Sequence, residues 1–353
     1  MNNNFWKKIP KPFFVLAPML DITDSPFRQI VSQCGKPDVF FTWFVSVDGL
    51  CSAGKDNILV RPNLKITKKE RPIVVQLFGK DPEKFEEAAK IVAKLGFDGI
   101  DINMGCPDKD VLKQGAGAEL IKNPKLAREI IKAVKRGAGK IPVSVKTRVG
   151  FYKSSEMKNW MGEILKEKPT VICLHARTAK QRYGGEADWK LIKEAVFLAK
   201  GSGTLIIGNG DVKSREDGLQ KAKESKADGI MIGREILNNP WVFNKNNDLR
   251  IRPCQSDCCG AMTDNFIIAP PKNRIAIAKC VSFKDEVKIS KEKKLEMLIK
   301  HATLFEKYYK DIKGFNNFKK YLKAYVSGFD GSKELRMKLM EAKSSENISD
   351  FVR

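Results

Sequence analysis

The sequence predicts an α/β protein: a (β/α)8 TIM barrel followed by a small C-terminal helical domain. Three observations predict it. Eight short, nearly continuously apolar runs recur through the first 243 residues, as strands buried on both faces of a parallel sheet require. Amphipathic stretches with helix start and stop signals separate them. After Phe243 that rhythm stops, and a different helical pattern returns at Lys291. A doubly wound open sheet has the same alternation, and periodicity alone leaves that alternative standing.

The expected strands are Phe13–Leu16, Val39–Thr42, Ile73–Phe78, Gly99–Ile102, Val143–Thr147, Val171–His175, Leu205–Gly208 and Gly229–Ile232. Between them, DPEKFEEAAKIVAKLG reads as a helix. Asp81 caps it, Pro82 suits the first turn, and acidic Glu83, Glu86 and Glu87 favour its N-terminal half. Phe85, Ala88, Ala89 and Val92 form the apolar face, and Gly96 ends it. NPKLAREIIKAVKRG repeats the device with Asn123, Pro124 and a terminating Gly137. The barrel is expected over 1–243, an insertion or linker over 244–290, and a helical domain over 291–353. In the last, Leu295, Leu298, Ile299, Ala302 and Phe305 line one helix face. A second helix is expected after Gly314, with Phe315, Phe318, Leu322, Tyr325 and Val326 on one side.

The 353 residues carry 65 Lys+Arg against 42 Asp+Glu, a formal charge of +23. Such an excess favours polyanionic partners, nucleic acid first; a lysine-rich solubilising surface is the other reading. With 42% hydrophobic residues the chain can build a core and is not disordered by composition. The N-terminal apolar stretch is broken by Pro10, Pro12 and Pro18, so no export signal is expected. No apolar run long enough to span a bilayer occurs. A cytoplasmic location and free thiols are therefore expected for the eight cysteines. In the linker, Cys254, Cys258 and Cys259, with distant Cys280, suggest metal but lack a standard zinc spacing; no metal site is expected. A monomer is the default expectation.

In a parallel barrel the chemistry sits at the C-terminal ends of the strands. There the sequence places APMLDITD (17–24), Gln76, Asn103 with Cys106, Lys146, His175, Asn209-Gly210-Asp211 and Gly233-Arg234. Polar residues closing apolar strands in succession do not serve packing. Cys106, in DINMGCP, stands at the end of its strand rather than inside the apolar run. A structural thiol would sit within that run and a disulfide would need an oxidising compartment; the third reading is a cysteine placed to do chemistry, and the rest of the chain decides among them. The glycines after strands seven and eight suit a phosphate. Lys146 offers a fixed charge to a ligand that gains electrons, and a flavin fits both features.

The residues also resemble a known family, the FMN-dependent tRNA-dihydrouridine synthases. The matching motifs are APMLDITDSPFR (17–28), DINMGCP with GAGAEL (101–107, 115–120), VKTRVG (145–150), HARTAKQRYGGEADW (175–189), NGD (209–211) and IGREILNNPW (232–241). The resemblance implies an FMN barrel with an RNA-binding helical end, tRNA as partner, and NADPH or NADH as reductant. It implies that Pro18, Met19 and Leu20 back the flavin, that Gln76 and Lys146 hydrogen-bond it, and that His175, Asn209, Gly210, Asp211, Gly233 and Arg234 line the rest of its site. It places Asn103 beside the uracil, with Arg177 and Arg182 at the substrate, and makes Cys106 the acid that protonates C5 after hydride transfer to C6. A thiol with a reference pKa of about 8.5 is still protonated near neutrality and can donate. Lys109, Lys113, Lys180, Lys319, Lys320 and Lys323 are further candidate phosphate contacts. Two departures stand out: Thr42-Trp43 where the family has Thr-Glu, and Asp108-Lys109-Asp110 where it has paired basic residues. The rival readings are an FMN barrel reducing a small pyrimidine or enone, and a catalytically silent tRNA-binding module.

Overall fold

The computed structural model describes residues 4–53, 64–245, 289–310 and 312–353. Its strands are β1 (Phe13–Leu16), β2 (Phe40–Ser46), β3 (Ile73–Phe78), β4 (Gly99–Met104), β5 (Val143–Arg148), β6 (Val171–His175), β7 (Leu205–Asn209) and β8 (Gly229–Ile232). They form one parallel sheet in the order β1-β8-β7-β6-β5-β4-β3-β2. A Val15–Val39 bridge just before β2 closes the ring. Ring closure rules out the doubly wound alternative. The helices are α1 (Ser25–Cys34), α2 (Val47–Ala53), α3 (Pro82–Lys94), α4 (Lys109–Lys113), α5 (Pro124–Ala138), α6 (Met157–Lys166), α7 (Trp189–Leu198), α8 (Arg215–Ser225), α9 (Lys291–Tyr309), α10 (Leu322–Tyr325), α11 (Ser332–Leu339) and α12 (Ser345–Val352).

The pleat sorts each strand into two faces. Phe14, Leu16, Ile73, Val75, Leu77, Ile100, Ile102, Val143 and Val145 pack outward against the helices. Phe13, Val15, Phe41, Val74, Val171, Cys173, Ile207 and Met231 fill the barrel interior. Trp6, on a short 3₁₀ turn (Phe5–Lys7), is fully buried against Phe13 and Phe41 and stoppers the N-terminal mouth. Because this end is filled with apolar side chains, the polar inward residues collect at the opposite rim.

Expected caps are present: Asp81 accepts from the N–H of Glu83 and Lys84, and Asn123 from that of Leu126. Gly137 does not end its helix. It lies inside α5, where an added Cβ would stand 2.2 Å from the Glu86 carbonyl oxygen and 2.8 Å from Ala89 Cβ. The glycine lets α5 approach α3, and Gly139, at φ +60°, provides the cap. β2 runs past its expected end, through a bulge between Phe41 and Phe44 that contains Thr42-Trp43.

The helix expected after Gly314 divides into a 3₁₀ turn (Phe315–Tyr321) followed by α10. This end packs on α1: Phe27 stacks on Tyr321 at 5.0 Å and lies 5.4 Å from His301. Residues 246–288, with Cys254, Cys258, Cys259 and Cys280, lie outside the described residues.

Candidate active site

The rim residues form three hydrogen-bonded groups. In the first, Gln76 and Asp101 are paired in the β3–β4 register. Gln76 Nε2 donates to Asp101 Oδ2 at 2.6 Å, and Asn103 Nδ2 donates to Gln76 Oε1 at 3.1 Å. Asn103 Oδ1 then accepts from the backbone N–H of Gly105 (3.1 Å) and Cys106 (2.9 Å). The Cys106 carbonyl accepts from the N–H of Ala118 at 3.0 Å. Gly117, at φ +63°, lies where a Cβ would come within 2.8 Å of that carbonyl. The half-buried thiol therefore rides on a backbone fixed from both sides. Burial pushes its pKa up, against the weaker opposing pull of an Asp108 hydrogen bond and of Lys146 and Arg148. A thiol so placed keeps its proton at neutral pH.

The second group centres on Lys146, which faces Asn103 across β4–β5 and Cys173 across β5–β6. Among the described residues the hydrogen-bond acceptor for its ammonium is Asn209 Oδ1, at 3.3 Å; Asn209 Nδ2 is anchored on the Met231 carbonyl. Burial first, and the neighbouring Arg148 second, lower the Lys146 pKa. A desolvated cation with one neutral partner favours an anion placed beside it.

The third group joins the last three strands. Arg177 pairs both carboxylate oxygens of Asp211, at 3.0 and 2.6 Å, and also donates to the Gly184 carbonyl at 3.1 Å and to that of Gly185. Arg234 reaches Asp211 Oδ1 at 3.2 Å. Burial alone would raise the Asp211 pKa, but Arg177, the Ala187 N–H and Arg234 outweigh it and hold the group ionised. His175 is buried among Arg148, Lys146, Arg177 and Arg234, so burial and these charges push it well below the ordinary histidine range. It is neutral near pH 7. Gly210, at φ +126°, has no room for a side chain: a Cβ would lie 2.6 Å from Ala187 Cβ and 3.1 Å from His175 Cδ2.

Pro18 and Met19 form a partly buried wall at the end of β1, with the Met19 sulfur 3.8 Å from the point where a Gly233 Cβ would stand. Leu20 is 54% exposed beside it. Arg182 is exposed at φ +52°. Arg177, by contrast, is 2% exposed, with its guanidinium committed to Asp211 and the 184–185 backbone. Lys320, one of the expected phosphate contacts, instead pairs with Asp21 of the rim loop at 2.8 Å, together with Lys313. Lys109, Lys113, Lys180 and Lys323 are exposed. Trp43 lies under Lys313, whose ammonium is 4.9 Å from the ring centroid.

Residue-by-residue reading missed Arg148. It is 3% exposed and donates to the Gly105, Thr178 and Arg182 carbonyls at 2.8–2.9 Å. Exposed Tyr183 lies between Arg148 and Arg234, 6.0 and 5.0 Å from its ring. Asp101 was missed as well. Period-two spacing was the available signal: Asp101 precedes Asn103 by two, and Arg148 follows Lys146 by two, so both share the inward face. Among the described residues no three His, Cys, Asp or Glu side chains converge as metal ligands, and no helix is long and apolar enough to cross a membrane.

The family model for dihydrouridine synthase (Dus) matches residues 15–263. The "Probable tRNA-dihydrouridine synthase" of Staphylococcus aureus (strain MRSA252) is 38% identical over 347 residues, covering 98% of this chain and 93% of its own. The "Probable tRNA-dihydrouridine synthase 2" of Bacillus subtilis (strain 168) is 38% identical over 352 residues, covering 99% and 95%. Among solved structures, histamine dehydrogenase from Rhizobium sp. 4-9 superposes with a TM-score of 0.51 at 15% identity, over 68% of this chain and 46% of that one. That last likeness is one of fold.

Proposed function

The chain belongs to the dihydrouridine synthase family, and from this premise we propose that it reduces the C5–C6 double bond of uridines in tRNA to 5,6-dihydrouridine, with bound FMN and NADPH or NADH as electron source. The observation that carries this reading is Lys146: a desolvated ammonium, answered among the described residues by one neutral acceptor, at the rim between Cys106 and the strand-seven loop. It fits the electron-rich edge of a flavin. Pro18 and Met19 fit one face of the ring, and Gln76 fits its hydrogen-bonding edge. Neutral His175, Asn209, Gly210, Gly233 and exposed Arg234 fit the phosphate-bearing tail, with Arg177 holding Asp211 and the 184–185 loop in place.

When bound, the reduced flavin supplies a hydride to C6 of the uracil. Cys106 would give its proton to C5 and be left as thiolate, which solvent reprotonates. The raised thiol pKa keeps the acid loaded at neutral pH, and the developing carbanion at C5 is the base strong enough to take its proton. Asn103 positions the Cys106 backbone. Arg182, Lys109, Lys113, Lys180 and Lys323 present positive charge around the rim, which helps offset the few kcal/mol that extruding a nucleotide costs.

The test is the flavin band of purified protein, reduced anaerobically with NADPH and then mixed with tRNA lacking dihydrouridine. Reoxidation by that tRNA, and not by free uridine or already modified tRNA, is expected. A flavin reoxidised by free uridine equally well would move the substrate to a small pyrimidine. Absence of flavin with retained tRNA binding would make the protein a silent binding module.

A further inference from the structure

Asp101 is fully buried, one rung below Asn103 on β4, and no arginine or lysine pairs with its carboxylate among the described residues. Its two oxygens meet Ser144 Oγ at 2.5 Å and Gln76 Nε2 at 2.6 Å. From there the hydrogen bonds run through Gln76 and Asn103 to the N–H groups of Gly105 and Cys106. Gln76 is fully buried and Asn103 is 5% exposed.

A carboxamide has a donor end and an acceptor end, so each link in this chain can run in two directions. The two ends decide which: the N–H groups of Gly105 and Cys106 can only donate, so Asn103 turns its Oδ1 to them and its NH2 to Gln76, and Asp101 accepts what Gln76 then donates. Ionised, Asp101 accepts at both oxygens, and a Gln76 turned the other way would set Oε1 against a carboxylate oxygen and its NH2 against that of Asn103. Protonated, Asp101 can donate its O–H to Ser144 Oγ at 2.5 Å while Oδ2 still accepts from Gln76. In both states Asp101 can accept from Gln76 while the Gln76 carbonyl faces the Asn103 NH2. Asn103 is forced to point its carbonyl at the two N–H groups that carry the thiol.

We infer that Asp101 is a positioning residue: as the buried acceptor beneath Gln76 it anchors the far end of this carboxamide chain and, through Gln76 and Asn103, steadies the stance of the Gly105–Cys106 backbone and its thiol. The inference rests on the reading of Cys106 as the proton donor. It adds a residue that touches neither flavin nor uracil.

Two substitutions separate anchoring from charge. Asp101→Asn keeps an acceptor for Gln76 and offers its NH2 to Ser144 Oγ, so the chain keeps its sense. Asp101→Leu has similar bulk and no acceptor, which leaves the Gln76 NH2 without its partner and the chain without its anchor. In single turnover, Asp101→Leu holoenzyme is expected to reoxidise with tRNA about 10²-fold more slowly, the loss that a misplacement of about 1 Å produces. Its tRNA affinity should stay at the wild-type value, and Asp101→Asn should retain the wild-type rate. An Asp101→Asn enzyme as slow as Asp101→Leu would overturn the inference, as would a Leu variant at full speed or one that loses only tRNA affinity.

A second readout does not depend on turnover: alkylation of Cys106 in the oxidised holoenzyme by iodoacetamide. The rate should change in Asp101→Leu and match wild type in Asp101→Asn; equal rates in all three overturn the inference. Should Asp101→Leu fail to fold, an altered alkylation rate in Asp101→Asn still refutes it, and an unaltered one supports it. If wild type reduces no tRNA, the reading of Cys106 fails, while the alkylation result continues to judge Asp101.

Discussion

Removing the Glu70 carboxylate tests how the rim loop 17–24 is held. Arg28 follows that loop on α1, and both Arg28 and Glu70 have fully buried side chains, with Nε 2.7 Å from Glu70 Oε1. Arg28 also donates to the carbonyls of Thr23, at the end of the loop, and Lys65, each at 2.9 Å. The other Glu70 oxygen accepts from the N–H and hydroxyl of Thr67, both at 2.7 Å. Glu70→Ala leaves a buried guanidinium without counter-charge, a loss of about 3–5 kcal/mol for a broken buried pair. Stranding the two Thr67 donors, at about 1–3 kcal/mol each when no water reaches them, is consistent with the upper part of that range. At about 2–4 °C per kcal/mol, the unfolding midpoint falls by roughly 6–20 °C. The assay is thermal unfolding followed by circular dichroism, with flavin bound. Arg28→Met/Glu70→Leu, which removes both charges, is expected to recover much of the loss. A Glu70→Ala protein within about 1 kcal/mol of wild type would place this pair with exposed ion pairs and refute the reasoning.

Cys106→Ala is expected to leave flavin reduction by NADPH intact and slow tRNA-dependent reoxidation by about 10²–10⁴-fold, the contribution of a placed general acid; slowing of both half-reactions equally would count against that role. Lys146→Met removes the rim cation and should release flavin on gel filtration, read as loss of the yellow band from the protein peak. Asp24 caps α1 through the Phe27 N–H at 2.9 Å, and burial raises its pKa from 3.8 to about 6. A carboxyl raised in the folded state costs stability when ionised, so this cost is complete above about pH 6 and vanishes as pH falls below about 4. Asp24→Asn keeps the cap acceptor and should gain on the order of 3 kcal/mol in urea unfolding at pH 8 and nothing at pH 4; an equal gain at both would refute the assignment. Gly137→Ala, which in an open helix would stabilise by about 1 kcal/mol, should destabilise by about 1–3 kcal/mol because its Cβ would overlap the Glu86 carbonyl. A higher melting temperature for that variant would mean α3 and α5 can separate at little cost.

The strands and their order along the chain were legible because burial on both faces leaves a nearly continuous apolar signature, which Phe13–Leu16 shows end to end. Caps such as Asp81 and Asn123 were equally legible, since a helix start is satisfied by its own next turn. The polar residues at the strand ends, Gln76, Asn103, Lys146, His175 and Asn209, could be listed from sequence and placed on one rim. Contacts between strands far apart in the chain could not. Gln76 and Asp101 are 25 residues apart, and Arg177 and Asp211 are 34 apart; local sequence carries no term for either pair. Only ring closure and strand register put Asp101 beneath Gln76, turned Arg177 into the 184–185 loop rather than outward, and spent Lys320 on Asp21. Gly137 shows the same division. Its sequence neighbourhood reads as a helix end; it stands in the last turn of α5, and it is the proximity of α3 that leaves no room there for a side chain.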